Sequence, residues 1–347
     1  MAVSEQVPYV SELVRLSGGG LEALVNPGRG GDVLALVHQE TQTNVLWTSR
    51  RARHQVPQSG PLDQELSSFY DEYPGGIQEL FPNTAASTVV AGAELPFHGE
   101  ACRIVWTPDP REARETGDFV ALKTALRRMP IVMRKELSLD SNSPSLTISS
   151  TVENVSEQPL PFSWAFHPAF GAPLVEGGCR VYLPGDEAEV HKDRFSALQR
   201  WEPGSVHKLP TIDATTYIDL RRDTDCGADL FYVRCSEGWF VARNENTGLT
   251  IACTWDLELM PFLWFWEECH DVAGYPWWGL EHVVGIEPHS IAPARGLHEH
   301  VDAGQARWLA AGESKTAHLK VSVSFTDLAS HPVGVDELGQ PRLKGSE

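Results

Sequence analysis

Apolar and polar residues alternate along much of this chain. Ser145-Leu146-Thr147-Ile148-Ser149-Ser150-Thr151-Val152 is the cleanest case, and Ala317 to Phe325 alternates over most of its length. Such alternation sends successive side chains to opposite faces of a strand, so both segments read as strands with one wet face. Phe119 to Leu126 alternates in part, and Ile131 to Leu139 follows it as a hairpin partner after Met129-Pro130. Leu230–Arg234, Trp239–Ala242 and Leu249–Trp255 form a second series, the last two joined by the turn Asn244-Glu245-Asn246-Thr247-Gly248. Helical periodicity is sparse. Pro61 to Phe69 reads as one short helix, with Asp63 and Glu65 favourable in its first turn.

Strand upon strand with so little helix predicts an all-β chain, an antiparallel sandwich or barrel rather than a βαβ nucleotide fold. Gly18-Gly19-Gly20 and Gly28, Gly30 and Gly31 lead into no helix and no Lys-Ser/Thr, so they read as turns. No repeat and no break in composition divides the chain. Residues 1–329 read as a single β-sandwich domain, its globular part running from about Tyr9 to Leu328, and residues 330–347 as a polar, loosely ordered tail.

Composition narrows the function. Among 347 residues, 28 Lys and Arg stand against 47 Asp and Glu, a formal charge of −19. Such a surface repels phosphate backbones and anionic lipid, so neither nucleic acid nor membrane is expected as a partner. Basic spots at Arg50-Arg51-Arg53, Arg127-Arg128 and Arg134-Lys135 read as solvated strand ends or turns, with a local anion site as the alternative. Six cysteines lie far apart without a CxxC pair, no export signal is visible, and no apolar run approaches the roughly 18 residues of a membrane span. A cytoplasmic protein with free thiols, no metal and no cofactor is the expectation. His298-Glu299-His300, read as a strand, puts both imidazoles on one face but has no further ligand. Gly-x-Ser-x-Gly is absent, which disfavours a nucleophile-elbow hydrolase.

Three titratable residues each sit at the end of an apolar run beside Gly or Pro. These are His98 in Leu95-Pro96-Phe97-His98-Gly99, His167 in Trp164-Ala165-Phe166-His167-Pro168, and Glu287 in Val284-Gly285-Ile286-Glu287-Pro288. Each has a plain structural alternative: a satisfied histidine, or a salt bridge from Glu287 to Arg103. Taken together, two histidines and a buried carboxylate form an acid–base set without a nucleophile, phosphate loop or metal cage. Asp256, ending an apolar strand, suits a sugar hydroxyl or a turn cap equally. Tryptophans concentrate in Phe262–Trp266 and Trp277-Trp278. Most belong to the core, but indole faces also stack on sugar rings, and Trp264 is assigned to that role.

With these residues in view, the chain resembles the aldose 1-epimerase (galactose mutarotase) family, as a divergent branch. The resemblance rests on Gly75-Gly76-Ile77-Gln78-Glu79-Leu80-Phe81-Pro82-Asn83, Phe97 to Arg103, Ser163 to Gly171 and Gly285-Ile286-Glu287-Pro288, in that order. It implies a supersandwich with an open concave cleft. It also implies Glu287 as general base, His167 as general acid, His98 as the second histidine holding the sugar, and Asn83 and Arg103 as substrate-binding positions. The family's Asn-His-x-Tyr-Phe is here Phe166-His167-Pro168-Ala169-Phe170, and Asp223, Asp225, Asp229 and Asp256 compete for its sugar-binding aspartate. The activity implied is cofactor-free interconversion of the α and β anomers of a free sugar. Aromatic-rich edges suit either a monomer or a homodimer. Alternatives are an epimerase of a phosphorylated or sulfonated hexose, a non-catalytic carbohydrate-binding or sensing protein, and a β-sandwich lyase or hydrolase.

Overall fold

The computed structural model describes residues 13–50, 66–109, 111 and 117–345. Two large antiparallel sheets face each other. The first runs, by hydrogen-bonded neighbours, through Val14–Gly18, Leu21–Asn26, Asp32–His38, Ile77–Leu80, Ala165–Phe170, His282–His289, Phe262–Cys269, Gly227–Arg234, Glu187–Val190 and Val206–Lys208. The second runs from Thr211–Ile212 through Thr215–Asp219, Cys179–Leu183, Trp239–Asn244, Leu249–Trp255, Ser314–Phe325, Ser145–Asn154, Ile131–Leu139 and Phe119–Ala125 to Thr107–Pro108. The all-β sandwich expected from the sequence is the fold observed.

The alternating segments form the second sheet. Ile131–Leu139 alternates strictly between buried and half-buried positions and pairs with Phe119–Ala125 on one side and Ser145–Asn154 on the other. Its inward set, with Leu146, Ile148, Leu319 and Val321, packs on Phe231, Phe265 and Ile286 of the first sheet in one continuous core. The central strands of the first sheet are buried on both faces. Ala165–Phe170 has no exposed position, and His282–His289 is buried from Val283 onward. One face of these strands therefore belongs to the inter-sheet core. The other holds the titratable groups.

Three expectations change. Lys135 is not a solvated strand end. It is buried between the sheets, with Nζ 3.1 Å from Glu79 and 2.8 Å from the Gly30 carbonyl. Residues beyond Ser330 carry a hairpin, Pro332–Val335 with Pro341–Leu343, whose Val335 packs against Tyr182 and Trp239. His298 and His300 lie on a short helix, Leu297–Asp302, where they diverge: His298 Nδ1 is 2.7 Å from Thr88 Oγ1, and His300 Nε2 is 3.1 Å from the Pro293 carbonyl. The other helix among the described residues is Leu66–Glu72, overlapping the end of the one expected at Pro61–Phe69. The Pro61–Glu65 part of the predicted helix, with Asp63 and Glu65, lies outside the described residues, as do Arg51 and Arg53.

Candidate active site

Glu287 is the hub of the site. It lies near the end of the His282–His289 strand, opposite Trp264 in register. Its carboxylate reaches His167 Nε2 through Oε1 at 3.3 Å and His289 Nε2 through Oε2 at 3.0 Å. His167 comes from the neighbouring Ala165–Phe170 strand. Both His167 and Glu287 precede a proline, which biases each backbone to the extended form. Gly285 sits two residues before Glu287 on the same face. A Cβ there would meet Glu287 Oε1 at 2.3 Å, so only glycine lets the carboxylate occupy this place.

The second ring nitrogen of His167 is 3.3 Å from the Tyr73 hydroxyl. With Nε2 protonated and turned to Glu287, Nδ1 accepts the Tyr73 proton. His98 follows on a turn, with φ +63°, and its Nδ1–H donates to the Thr84 carbonyl at 2.7 Å. That bond fixes the tautomer, leaving a lone pair on Nε2. The His98 and His167 rings are 5.6 Å apart. The structure thus brings together the three residues singled out as an acid–base set.

Burial sets their protonation. Glu287 is 3% exposed, and desolvation pushes its carboxyl well above the usual carboxylate range. The same cause lowers His167 to about 4. His98 and His289 are held well below the ordinary imidazole value, by burial first and then by repulsion from neighbouring histidines. The Tyr73 phenol is raised well above its normal value, again mainly by burial, so it remains a donor. Burial thus takes His167 far from an ordinary imidazole. This is a cluster driven toward neutrality.

The expected open cleft is roofed by aromatic rings. Phe69 of the Leu66–Glu72 helix stacks on Tyr73 at 5.2 Å and meets the His98 ring at 4.6 Å. Tyr70 packs on Phe97 and Trp277, and Trp277 lies 5.4 Å from Trp266, which in turn faces His167 at 6.0 Å.

Three proposed sugar contacts have other work. Asn83 is fully buried, its amide donating to the carbonyls of Ala85, Ala86 and Pro96 while its oxygen accepts the Leu297 N–H. It ties three loops together and has no free group for a hydroxyl. Asp256 lies just past the Leu249–Trp255 strand of the second sheet, where its side chain accepts the His318 backbone N–H at 2.7 Å and contacts its Nδ1 at 2.8 Å. Trp264 stacks on His289 at 3.6 Å and 4°, with Nε1–H bonded to the Ile291 carbonyl. Its flat face holds an imidazole, not a sugar. Arg103 is half-buried on the turn after His98. The Glu287–Arg103 salt bridge does not form, since the partners of Glu287 are the two histidines. Of the competing aspartates, Asp229 binds Arg200 and Arg221, Asp223 binds His282, and Asp225 caps Arg222.

Sequence reasoning missed two members of the site. His289 is two residues past Glu287, and strand alternation alone puts it on the same face. Tyr73 follows the short helix and had no local signal.

The fold is a galactose mutarotase-like β-sandwich, and one face of it carries a buried carboxylate–histidine cluster. Residues 11–323 match the family described as a domain of unknown function, DUF4432, and the chain belongs to that family. No curated protein matches the sequence. Among solved structures, the Slr1438 protein of Synechocystis sp. PCC 6803 is similar with a TM-score of 0.67 at 19% identity, covering 94% of this chain and 100% of its own. A putative aldose 1-epimerase from Escherichia coli K12 has a TM-score of 0.64 at 16% identity, covering 91% and 99%. A galactose mutarotase-like protein from Lactobacillus casei has 0.62 at 16%, covering 90% and 100%. At these identities the likeness is one of fold.

Proposed function

We propose that this protein is an aldose 1-epimerase acting on a free sugar, with Glu287 as general base and His167 as general acid. The observation that carries the proposal is the Glu287 carboxylate held against His167 and His289 with His98 alongside. Ring opening moves one proton in and one out. Glu287 takes the proton of the anomeric hydroxyl, His167 protonates the ring oxygen, and the bond from that oxygen to the anomeric carbon breaks to leave an aldehyde. Rotation about the adjacent carbon–carbon bond and the reverse transfers close the ring with the other configuration. No electrons are exchanged and no cofactor is required.

Ring opening by these roles starts from a carboxylate and an imidazolium and ends with both neutral. Burial favours the neutral pair in the empty site, so the hydroxyls of the bound sugar must stabilise the charged pair before the protons move. His98, neutral with a lone pair on Nε2, accepts from a sugar hydroxyl. Arg103, beyond it on the same turn, is kept as a substrate-binding candidate.

The test is anomer exchange followed by NMR with freshly dissolved α-glucose, α-galactose and other hexoses. Wild type is expected to accelerate exchange, and Glu287→Gln to lose at least about a hundredfold. An unchanged rate in Glu287→Gln removes the assignment. Binding without acceleration would instead mark a sugar-binding protein, and acceleration confined to phosphorylated or sulfonated hexoses would change the substrate class.

A further inference from the structure

A second constellation lies away from the acid–base cluster. Cys269 and His282 are directly opposite each other in register, at the far end of the strands that carry Trp264 and Glu287. Five strand positions separate this end from Glu287, about 16 Å at the usual rise per residue, and the side chains of 282 and 287 point to opposite faces. His270 follows Cys269 immediately. Its φ of +53° is unusual for a histidine and turns the chain just past the strand. One ligand atom from each of Cys269, His270 and His282 lies within 4.8 Å of the other two.

The hydrogen bonds show which nitrogens are spare. His282 Nδ1 is 3.0 Å from Asp223 Oδ1, while its Nε2 is buried with no partner. The side chain is only 10% exposed, so that bare nitrogen is a real cost unless something fills it. His270 Nδ1–H donates to the Gly279 carbonyl at 3.2 Å, leaving Nε2 with its lone pair. One imidazole held by a carboxylate and another by a backbone carbonyl is how proteins orient histidines toward a metal. The Cys269 thiol donates its one proton to the carbonyl of Asp225 at 3.3 Å or of Arg222 at 3.4 Å, and has lone pairs for a soft or borderline cation. His270, His282, Asp223, Glu176 and Glu281 also line a cavity of about 500 Å³.

We propose that Cys269 Sγ, His270 Nε2 and His282 Nε2 form a binding site for a zinc-class divalent cation, with the fourth position open to this cavity. One sulfur and two imidazole nitrogens with an open position suit tetrahedral Zn²⁺, with bonds of about 2.3 Å to sulfur and 2.0–2.1 Å to nitrogen. The three ligand atoms draw together by small side-chain rotations. The thiol proton leaves to solvent as the metal–sulfur bond forms. Asp223 is a positioning residue that fixes the His282 tautomer. No local motif marks the site, because Cys269 and His282 lie 13 positions apart on two strands and His270 just past the first, without a CxxC or His-x-x-x-His spacing.

The test uses the full chain, stripped with a chelator and titrated with Co²⁺ as an optical probe. The expected result is one equivalent bound, with an intense thiolate-to-cobalt band in the near ultraviolet that Zn²⁺ abolishes. Cys269→Ser loses the band, His282→Gln loses stoichiometric binding, and Asp223→Asn weakens it about 10- to 100-fold. Cys226→Ser, altering the neighbouring exposed thiol, leaves the band unchanged. No band at stoichiometric cobalt overturns the proposal. So does a band that disappears in Cys226→Ser and persists in Cys269→Ser. If Cys269→Ser fails to fold, His282→Gln decides, because unchanged cobalt affinity in that variant rules the site out.

Discussion

Gly285 shows how a residue without a side chain sets the proposed chemistry. Its missing Cβ is the space that Glu287 Oε1 fills. Because the atom in the way is the end of a flexible side chain, Gly285→Ala should fold, with the carboxylate displaced. Misplacing a catalytic group by about 1 Å can cost about a hundredfold in rate. A folded Gly285→Ala protein, judged by circular dichroism, should therefore lose about that much anomer exchange; a rate equal to wild type would mean that the position of Glu287 is not limiting. The same residues predict a pH signature in stability. His167 and His289 are neutral when folded and charged when unfolded below pH 6.5, so each contributes stability that is lost as pH falls toward the folded value, about 4 for His167. Glu287 acts in the opposite sense. Its raised value means that the folded state holds a proton the unfolded chain releases above about 4.5, so its contribution is lost as pH rises. Removing it should leave the histidines unopposed. Between pH 5 and 6.5, urea unfolding of Glu287→Gln should show a stability slope steeper than wild type by about 1.4 kcal/mol per pH unit. Parallel slopes would show that Glu287 is ionised in the fold.

At the scale of elements, the strands were legible and their partners were not. Ser145–Asn154 and Ile131–Leu139 fall where the sequence placed them, because one face of each is buried and the other half-buried. Ala165–Phe170 and His282–His289, buried on both faces, have no alternation to read, and only Pro168, Pro288 and the odd polar residues marked them. Glu287, His167 and His98 were legible for that reason: a charge in an apolar run must have a partner or a role. Asn83, Asp256 and Trp264 misled because their partners, Leu297, His318 and His289, lie far off in sequence or on the next alternate position. The aromatic roof was equally invisible, since Phe69, Phe97 and Trp277 come from three separate loops or helices. In that roof, Tyr70 secures the Leu66–Glu72 helix through Phe97, Tyr275 and Trp277. Tyr70→Ala should raise amide exchange across residues 66–72 while the strands stay protected, as local opening is distinct from global unfolding. Equal protection in the two proteins would show that this ring does not hold the roof.

Across the whole molecule, one buried ion pair joins the two sheets directly behind the site. Glu79 belongs to the Ile77–Leu80 strand, next to the strand of His167 and opposite Phe166 in register. Its side chain points inward, where Oε2 meets Lys135 of the other sheet at 3.1 Å and Oε1 accepts the Trp164 indole N–H at 2.8 Å. Lys135 in turn lies 4.5 Å from the centre of the Trp106 ring. Both side chains are at most 3% exposed. A pair this dry gains little net stability, because desolvation offsets its attraction, but losing one member strands the other charge. Lys135→Met should thus cost about 3–5 kcal/mol. Adding Glu79→Gln, which keeps the acceptor for Trp164 and removes the stranded charge, should recover most of it. Denaturant unfolding of the two single variants and the double variant closes the cycle. A Lys135→Met cost below about 1 kcal/mol, or a double variant no better than the single, would mean that water reaches the pair and that the sheets are joined by apolar packing alone. If the recovery is seen, the double variant should also retain anomer exchange, because Glu79 and Glu287 lie on opposite faces of one sheet and share no partner.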